Sequence, residues 1–400
     1  ASLQVGDLCE VEQWMLSPTE MLRVWHPPAT LPASSLVQIG KMMDELATRT
    51  QIRLVKDPIL ESPTYTLNWT TSGWTLSGMD GTPQPLGTDL TIDVLKSALA
   101  AKNLQAQRVF INLPPSIEFS NRMQLGQGRR FNTVKITPDP VSAQYVLLGR
   151  WHNQELQYTW ALPNTNPSQK TLTSLPVITD WIACGTSAES QQKAIEQLEQ
   201  FALRIGKIRA WLTLESPPDS VLFPYHIALK NDQTGEVNRQ GIVRKDEIYR
   251  FLLQAHEGIQ NSKLVETRYV YLFLIDRNGN TVLLFPRPDL GNVENLVPYR
   301  TTSTALPPKE FLLGNKDDAV TIGEPFGTDT YVFLSSVVPL ENPGMLESEG
   351  VRIERATKPY SNPLEYLLAN LGTATRGSTP TPLISDWSIE RITLQSVDAQ

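Results

Sequence analysis

Arg268–Pro288 reads RYVYLFLIDRNGNTVLLFPRP, two apolar runs on either side of Asn278-Gly279. Asn-Gly is the dipeptide that most readily adopts the two positive φ angles of a type I′ turn, so the stretch predicts a β-hairpin with a two-residue connection. Alternation along the first run sends Tyr269, Tyr271, Phe273 and Ile275 to one face and Val270, Leu272 and Leu274 to the other. Both faces are apolar, which is the pattern of an interior strand covered on both sides.

Downstream and upstream of this hairpin the C-terminal half carries further strand patterns. They lie at Tyr225–Lys230, Ile248–Ala255, Tyr331–Val338, Val351–Ala356 and Trp387–Leu394. A short helix is expected at Asn362–Leu371, with Asn362 as cap and Pro363 in the first turn. The N-terminal half is mixed. Residues 1 to 33 hold Pro18, Pro27, Pro28 and Pro32 and read as an irregular lead-in. Helical spacing of Leu36, Ile39, Met42, Met43 and Leu46 predicts a helix over Ser34–Thr48, and a second is predicted over Thr91–Lys102. Strands are expected at Ile52–Val55, Tyr65–Trp69, Trp74–Ser77 and Arg108–Leu113, and the longest helix at Ser187–Arg209.

The segments starting at Arg53 and Val134 share an order of features: a strand, an Asp-Pro turn (Asp57-Pro58, Asp139-Pro140), a Tyr-x-Leu strand (Tyr65, Tyr145) and a Trp-bearing return strand. A duplicated β unit and a chance coincidence of turn-and-strand patterns both account for this echo. The fold class expected is α+β, strand-dominated, with a β-sandwich-like C-terminal domain and a mixed N-terminal region. The division expected is 1–125 (mixed N-terminal region), 126–216 (β-hairpin segment with the long helix) and 217–400 (sandwich-like domain). A boundary near Leu175–Asp180 or near Pro217 fits equally.

The bulk composition narrows function more than it assigns it. The 400 residues carry a net charge of −7, with no basic stripe to track a phosphate backbone, so no nucleic-acid partner is expected. No apolar run approaches the ~18 residues that a membrane-spanning helix needs. The residues assign no compartment. Cys9 and Cys184, the two cysteines, form neither a disulfide framework nor a four-ligand zinc site.

Candidate chemistry is sparse. Cys184, in IACGTS ahead of the long helix, is the thiol placed for nucleophilic work, and His26, His152, His226 and His256 are the bases available. A small buried apolar residue is the plainer reading of Cys184. No Gly-x-Ser-x-Gly elbow occurs, and Gly126-Gln127-Gly128 lacks the rest of a phosphate-loop pattern. Asp276, Asn278 and Asn280 have the alternation of a calcium loop, yet Thr281 stands where that loop needs glycine and Arg287 where it needs glutamate. Asp289, Asn292, Glu294 and Asn295 form a polar cluster after the hairpin and are the candidate binding loop, within a longer stretch over 289–310; a second such stretch covers 373–386. Trp69, Trp74, Trp151 and Trp160 lie on strand-like segments, where packing between sheets competes with a carbohydrate platform. No catalytic residue, cofactor or metal is assigned.

Several strings resemble a known family when taken in order. These are RAWLTLESPP (from Arg209), FPYHIALKN (from Phe223), the hairpin itself, GNVEN (from Gly291), PFGTDTYVFLSS (from Pro325), EGVR (from Glu349), TRG (from Thr375) and WSIER (from Trp387). Together they resemble the region C-terminal to the protease domain in bacterial caspase-family proteins, and the hairpin with its LLFP end looks like a β-sandwich domain often appended to such proteases. The segment from Asp139 to Pro163 also fits. The histidine and cysteine contexts of a caspase-type dyad are missing from this sequence, so no catalytic residue is carried over. The resemblance implies a non-enzymatic accessory or partner-binding region, whose partner is a caspase-like catalytic domain in the same or a neighbouring chain. A cell-envelope carbohydrate-binding protein and a cysteine hydrolase using Cys184 are the alternatives.

Overall fold

The structure is a computed structural model. It describes residues 22–25, 27, 30–49, 52–58, 61, 63–78, 82–100, 107–123, 134–137, 142–163, 175–217, 223–256, 265–276, 279–287, 294–299, 307–315, 318–324, 326–341, 343–346, 364–365, 368 and 387–398. The expected strand at Val351–Ala356 and the stretch 373–386 lie outside the described residues. The fold is α+β and mostly β. The chain divides into two compact units, Pro18–Thr171 with Pro176–Gly206, and Leu172–Leu175 with Lys207–Gln400.

The first unit runs β1 (Leu22–Trp25), α1 (Ala33–Arg49), β2 (Ile52–Leu54), β3 (Tyr65–Thr70), β4 (Gly73–Gly78), β5 (Pro83–Gly87), α2 (Ile92–Ala100), β6 (Gln107–Asn112) and α3 (Ile117–Arg122). It continues with β7 (Val134–Ile136), β8 (Tyr145–His152), β9 (Glu155–Ala161), β10 (Ile182–Cys184) and the start of α4 (Ala188–Thr213). The helices begin where the sequence supplies acceptors for the free N–H groups of a first turn. Thr91 Oγ1 takes Val94 N at 3.2 Å, Ser116 Oγ takes Phe119 N at 3.0 Å, and Ser187 Oγ takes Ser190 N at 3.1 Å.

Two five-stranded sheets result, ordered β2-β6-β3-β4-β5 and β7-β1-β8-β9-β10. In each, the first two pairings are parallel and the last two antiparallel. The registers coincide as well. Val109 of β6 stands between Leu54 and Tyr65, and Val24 of β1 stands between Ile136 and Tyr145. The echo between the Arg53 and Val134 segments is therefore a duplicated β unit, with Tyr65 and Tyr145 in matching rows. One strand of each sheet comes from the other repeat: β1 precedes the first four-strand run yet completes the second sheet, and β6 precedes the second run yet completes the first. The lead-in expected to be irregular thus contains a strand interior to a sheet. Its signal is weak locally because its partners lie more than a hundred residues away.

Each sheet carries helices on a face. Leu36, Leu46, Leu95 and Leu99 from α1 and α2 join Leu67, Trp74, Leu76 and Ile111 in one core. In the second sheet the Trp160 indole donates to the Leu198 carbonyl of α4 at 2.9 Å, and Phe119 of α3 stacks on Tyr158 at 4.9 Å. The prolines at 83 and 85 remove alternate N–H groups from the edge strand β5, which blunts it against pairing with another chain. The β8–β9 hairpin turns through Asn153 (φ 52°) and Gln154 (φ 63°), so both central residues take the left-handed conformation of a type I′ turn.

The second unit comprises β11 (Tyr225–Asn231), β12 (Val237–Asn238), β13 (Gly241–Arg244), β14 (Ile248–Ala255), β15 (Arg268–Ile275) and β16 (Thr281–Phe285). β17 (Leu296–Val297), β18 (Glu310–Leu312), β19 (Val320–Thr321), β20 (Thr328–Ser336) and β21 (Trp387–Val397) complete it. One sheet is ordered β12-β11-β14-β18 with β19 on β14, the other β13-β21-β20-β15-β16 with β17 on β15. Ile227, Leu229, Phe251 and Leu253 from the first sheet share a core with Val270, Leu272, Tyr331, Phe333, Ile392 and Leu394 from the second, which makes a β-sandwich.

β15 is interior and both its faces are covered, as its alternation predicts. Val270 and Leu272 enter the sandwich core. Tyr271, Phe273 and Ile275 enter a second core with Val332, Leu334, Trp387, Leu340, Leu364 and Leu368, roofed by Ile208 and Trp211 of α4. Leu364, Glu365 and Leu368 are helical, within the expected Asn362–Leu371 helix.

The hairpin differs from expectation in its turn. Asp276 N donates to Asn280 O at 3.0 Å and Gly279 N to Asp276 O at 2.8 Å, which leaves a three-residue connection with Gly279 at φ 75°. The glycine closes that connection in the left-handed conformation. The physical reason is Asp276, whose carboxylate oxygens accept Asn280 N and Asn280 Nδ2, both at 2.7 Å. A bulge between Leu272 and Phe273 then shifts the register, so Leu283 and Phe285 reach opposite cores despite being two apart.

Candidate functional site

The hairpin turn uses the residues that give a calcium-loop alternation. Both carboxylate oxygens of Asp276 are engaged with Asn280. Among the described residues no group of three or more His, Cys, Asp or Glu side chains is arranged to hold a metal.

Asp289 and Asn292 of the candidate binding loop lie outside the described residues; Glu294 and Asn295 lie within them. Asn295 is a structural anchor. It is 8 % exposed, its Nδ2 donates to Val270 O at 3.1 Å, and its own carbonyl accepts Val270 N at 2.9 Å. That exchange docks the segment onto β15, and the next residues pair as β17, Leu296 opposite Tyr269 and Val297 opposite Arg268. Glu294 is exposed, and its carbonyl accepts the Tyr299 hydroxyl at 2.9 Å. Leu296 and Tyr299 are 39 % and 37 % exposed, and the Tyr299 ring meets Phe311 edge-on at 5.7 Å. The segment therefore presents two large apolar side chains and a carboxylate on a fixed base. Beside it, Arg268 is buried, and its Nη2 reaches the exposed Glu266 carboxylate at 3.5 Å.

A second constellation joins strands that are remote in sequence. His226 Nδ1 lies 3.0 Å from Glu390 Oε1, Arg239 Nη2 donates to the same oxygen at 2.6 Å, and Ile227 N donates to Glu390 Oε2 at 3.2 Å. The His256 ring packs on His226 with centroids 3.4 Å apart. Burial first, then the neighbouring His226, lower the His256 pKa, while Glu390 opposes the shift. The cluster supplies a carboxylate for the backbone N–H that β11 carries at Ile227, beyond the two-residue reach of β12. No local motif announces it, because Glu390 sits 164 residues from His226.

Cys184 ends β10 opposite Leu156 and is 4 % exposed. Burial pushes its thiol up to about 12. A nucleophilic cysteine needs the opposite, a lowered pKa and access, so this setting does not support Cys184 in catalysis. His152 lies in the β8–β9 hairpin opposite Glu155, and His26 is outside the described residues, as are Gly126 and Gly128.

Each of the four candidate tryptophans packs against neighbouring residues of its unit. Trp74 and Trp160 are fully buried, and Trp69 meets Trp74 edge-on at 5.4 Å. Trp151 donates to Asp44 at 3.1 Å, and its ring lies so close over Gly40 that a Cβ there would stand 2.1 Å from it.

No helix among the described residues is long and apolar enough to cross a membrane. Neither a family model, nor a curated protein, nor a solved structure matches this chain.

Proposed function

We propose that this chain is a non-enzymatic, partner-binding region of a bacterial caspase-like protease system, and that the segment Glu294–Tyr299 is its contact surface. The observation that carries the reading is the combination of anchorage and exposure in that segment. Asn295 ties it to β15 while Leu296 and Tyr299 face solvent. Side chains held in place before binding lose little conformational freedom on contact, and tyrosine is among the residues that most often anchor an interface. The ordered strings that resemble caspase-associated regions supply the partner class.

The experiment is a binding titration of the full chain against the caspase-like catalytic domain encoded upstream in the same reading frame or by a neighbouring gene. Binding is expected, with Leu296→Ser/Tyr299→Ala weakening it at least tenfold at unchanged circular dichroism. Absence of binding by the parent chain, or equal affinity of the folded double variant, overturns the proposal.

A further inference from the structure

We propose that β1 is an exchangeable strand, and that the slot it fills between β7 and β8 also accepts β1 from a second copy of this chain. The duplicated unit supplies the argument. Its two sheets have the same order, the same strand senses and matching rows, and in each the second strand is donated by the other repeat. Each four-strand run is thus built to receive its missing strand from elsewhere, and it recognises that strand by register. The donated strands are alike: Leu22-Arg23-Val24-Trp25 and Gln107-Arg108-Val109-Phe110 share Arg-Val-aromatic at equivalent rows, and each is followed by a Pro-Pro pair, Pro27-Pro28 and Pro114-Pro115.

Three further features favour exchange between copies. β1 is four residues long and pairs over three residues with β7 and two with β8, so few hydrogen bonds hold it in either arrangement. An exchanged β1 regains every one of those pairings in the second copy, so the closed and exchanged forms differ only in the connection and in the cost of association. The connection from Trp25 to Ala33 holds Pro27, Pro28 and Pro32. Proline-rich connections are stiff, and such stiffness disfavours a tight return of the chain on itself.

The test uses the full chain with Cys9→Ser to remove one native thiol; Cys184 is buried. Arg23 of β1 and Lys135 of β7 are register partners. Adjacent strands run about 4.8 Å apart, within the Cα range that a disulfide bridges. Arg23→Cys and Lys135→Cys are made separately, co-refolded from urea as an equimolar mixture and oxidised with diamide. A disulfide-linked species of twice the chain mass is expected in the mixture, at least fivefold above either variant alone. The double variant Arg23→Cys/Lys135→Cys reports on geometry by forming a bond within or between chains. A mixture giving no more dimer than the single variants, while the double variant cross-links within one chain, overturns the proposal. If the double variant does not cross-link, light scattering after size exclusion of the co-refolded parent chain decides. A dimer that Val24→Pro abolishes and the equally destabilising Val109→Pro leaves intact supports exchange, and a dimer that both abolish, or a monomer at all concentrations, overturns it.

Discussion

At residue scale the glycines separate positions the packing requires from positions it tolerates. Gly149 sits where β8 passes the end of β6. Its N–H donates to Asn112 Oδ1 and its carbonyl accepts Leu113 N, both at 2.9 Å. A Cβ there would stand 2.1 Å from Leu113 O, and a backbone carbonyl cannot rotate aside. Gly149→Ala is expected to cost about 1–3 kcal/mol, read as a fall in the urea midpoint. Gly206, inside α4, has nothing within 4 Å of its Cβ position, so Gly206→Ala should stabilise by about 0.5–1 kcal/mol in the same assay. His256 gives a pH prediction. Its folded pKa is lowered by burial and by His226 and Arg239, against a raising influence from Glu390. The unfolded chain therefore binds more protons here than the folded one, and stability falls as pH drops through the ordinary histidine range. His256→Asn should flatten the slope of the urea midpoint between pH 7.5 and 5.5; an unchanged slope would show that the pair with His226 carries no linkage.

At the scale of elements, legibility followed the range of the signal. α1, β14 and β15 were readable because periodicity inside each one decides which faces are buried, and β15 shows both predicted faces filled. β12 and β13 were not readable, since strands of two and four residues hold too few side chains to show a period. Turn chemistry misled in both directions. Asn278-Gly279 lost its two-residue turn to the Asp276 carboxylate, whereas Asn153-Gln154 makes the type I′ turn with no glycine. In the candidate loop the polarity of Asn295 was legible but its use was not, because its acceptor is a backbone carbonyl on β15. Helix ends are a further case. Arg391 of β21 donates from Nε and Nη2 to Trp211 O, at 3.0 and 2.9 Å, and from Nη2 to Leu214 O, so a cation closes the C-terminus of α4. Arg391→Met should cost about 1.5–3 kcal/mol and raise amide exchange over the last turn of α4. Exchange that rises equally throughout the unit would count against a local role.

At the scale of the whole molecule, the duplication makes two distant residues equivalent. Val24 and Val109 occupy the same row of their sheets, each with a parallel neighbour on either side. Val24→Pro and Val109→Pro each remove a ladder donor from an interior strand, which a sheet does not absorb. Similar losses of the urea midpoint are expected for both; a lesion at one site only would mean that the repeats share topology without sharing energetics. The same arrangement sets the two repeats apart during synthesis on the ribosome. β6 emerges after β2 and β3 and joins partners already made. β1 emerges ahead of its neighbours β7 and β8, which follow only after more than a hundred further residues. At about 5–20 residues per second the nascent chain carries this strand without its partners for roughly 5–20 s, long enough for a chaperone to engage it.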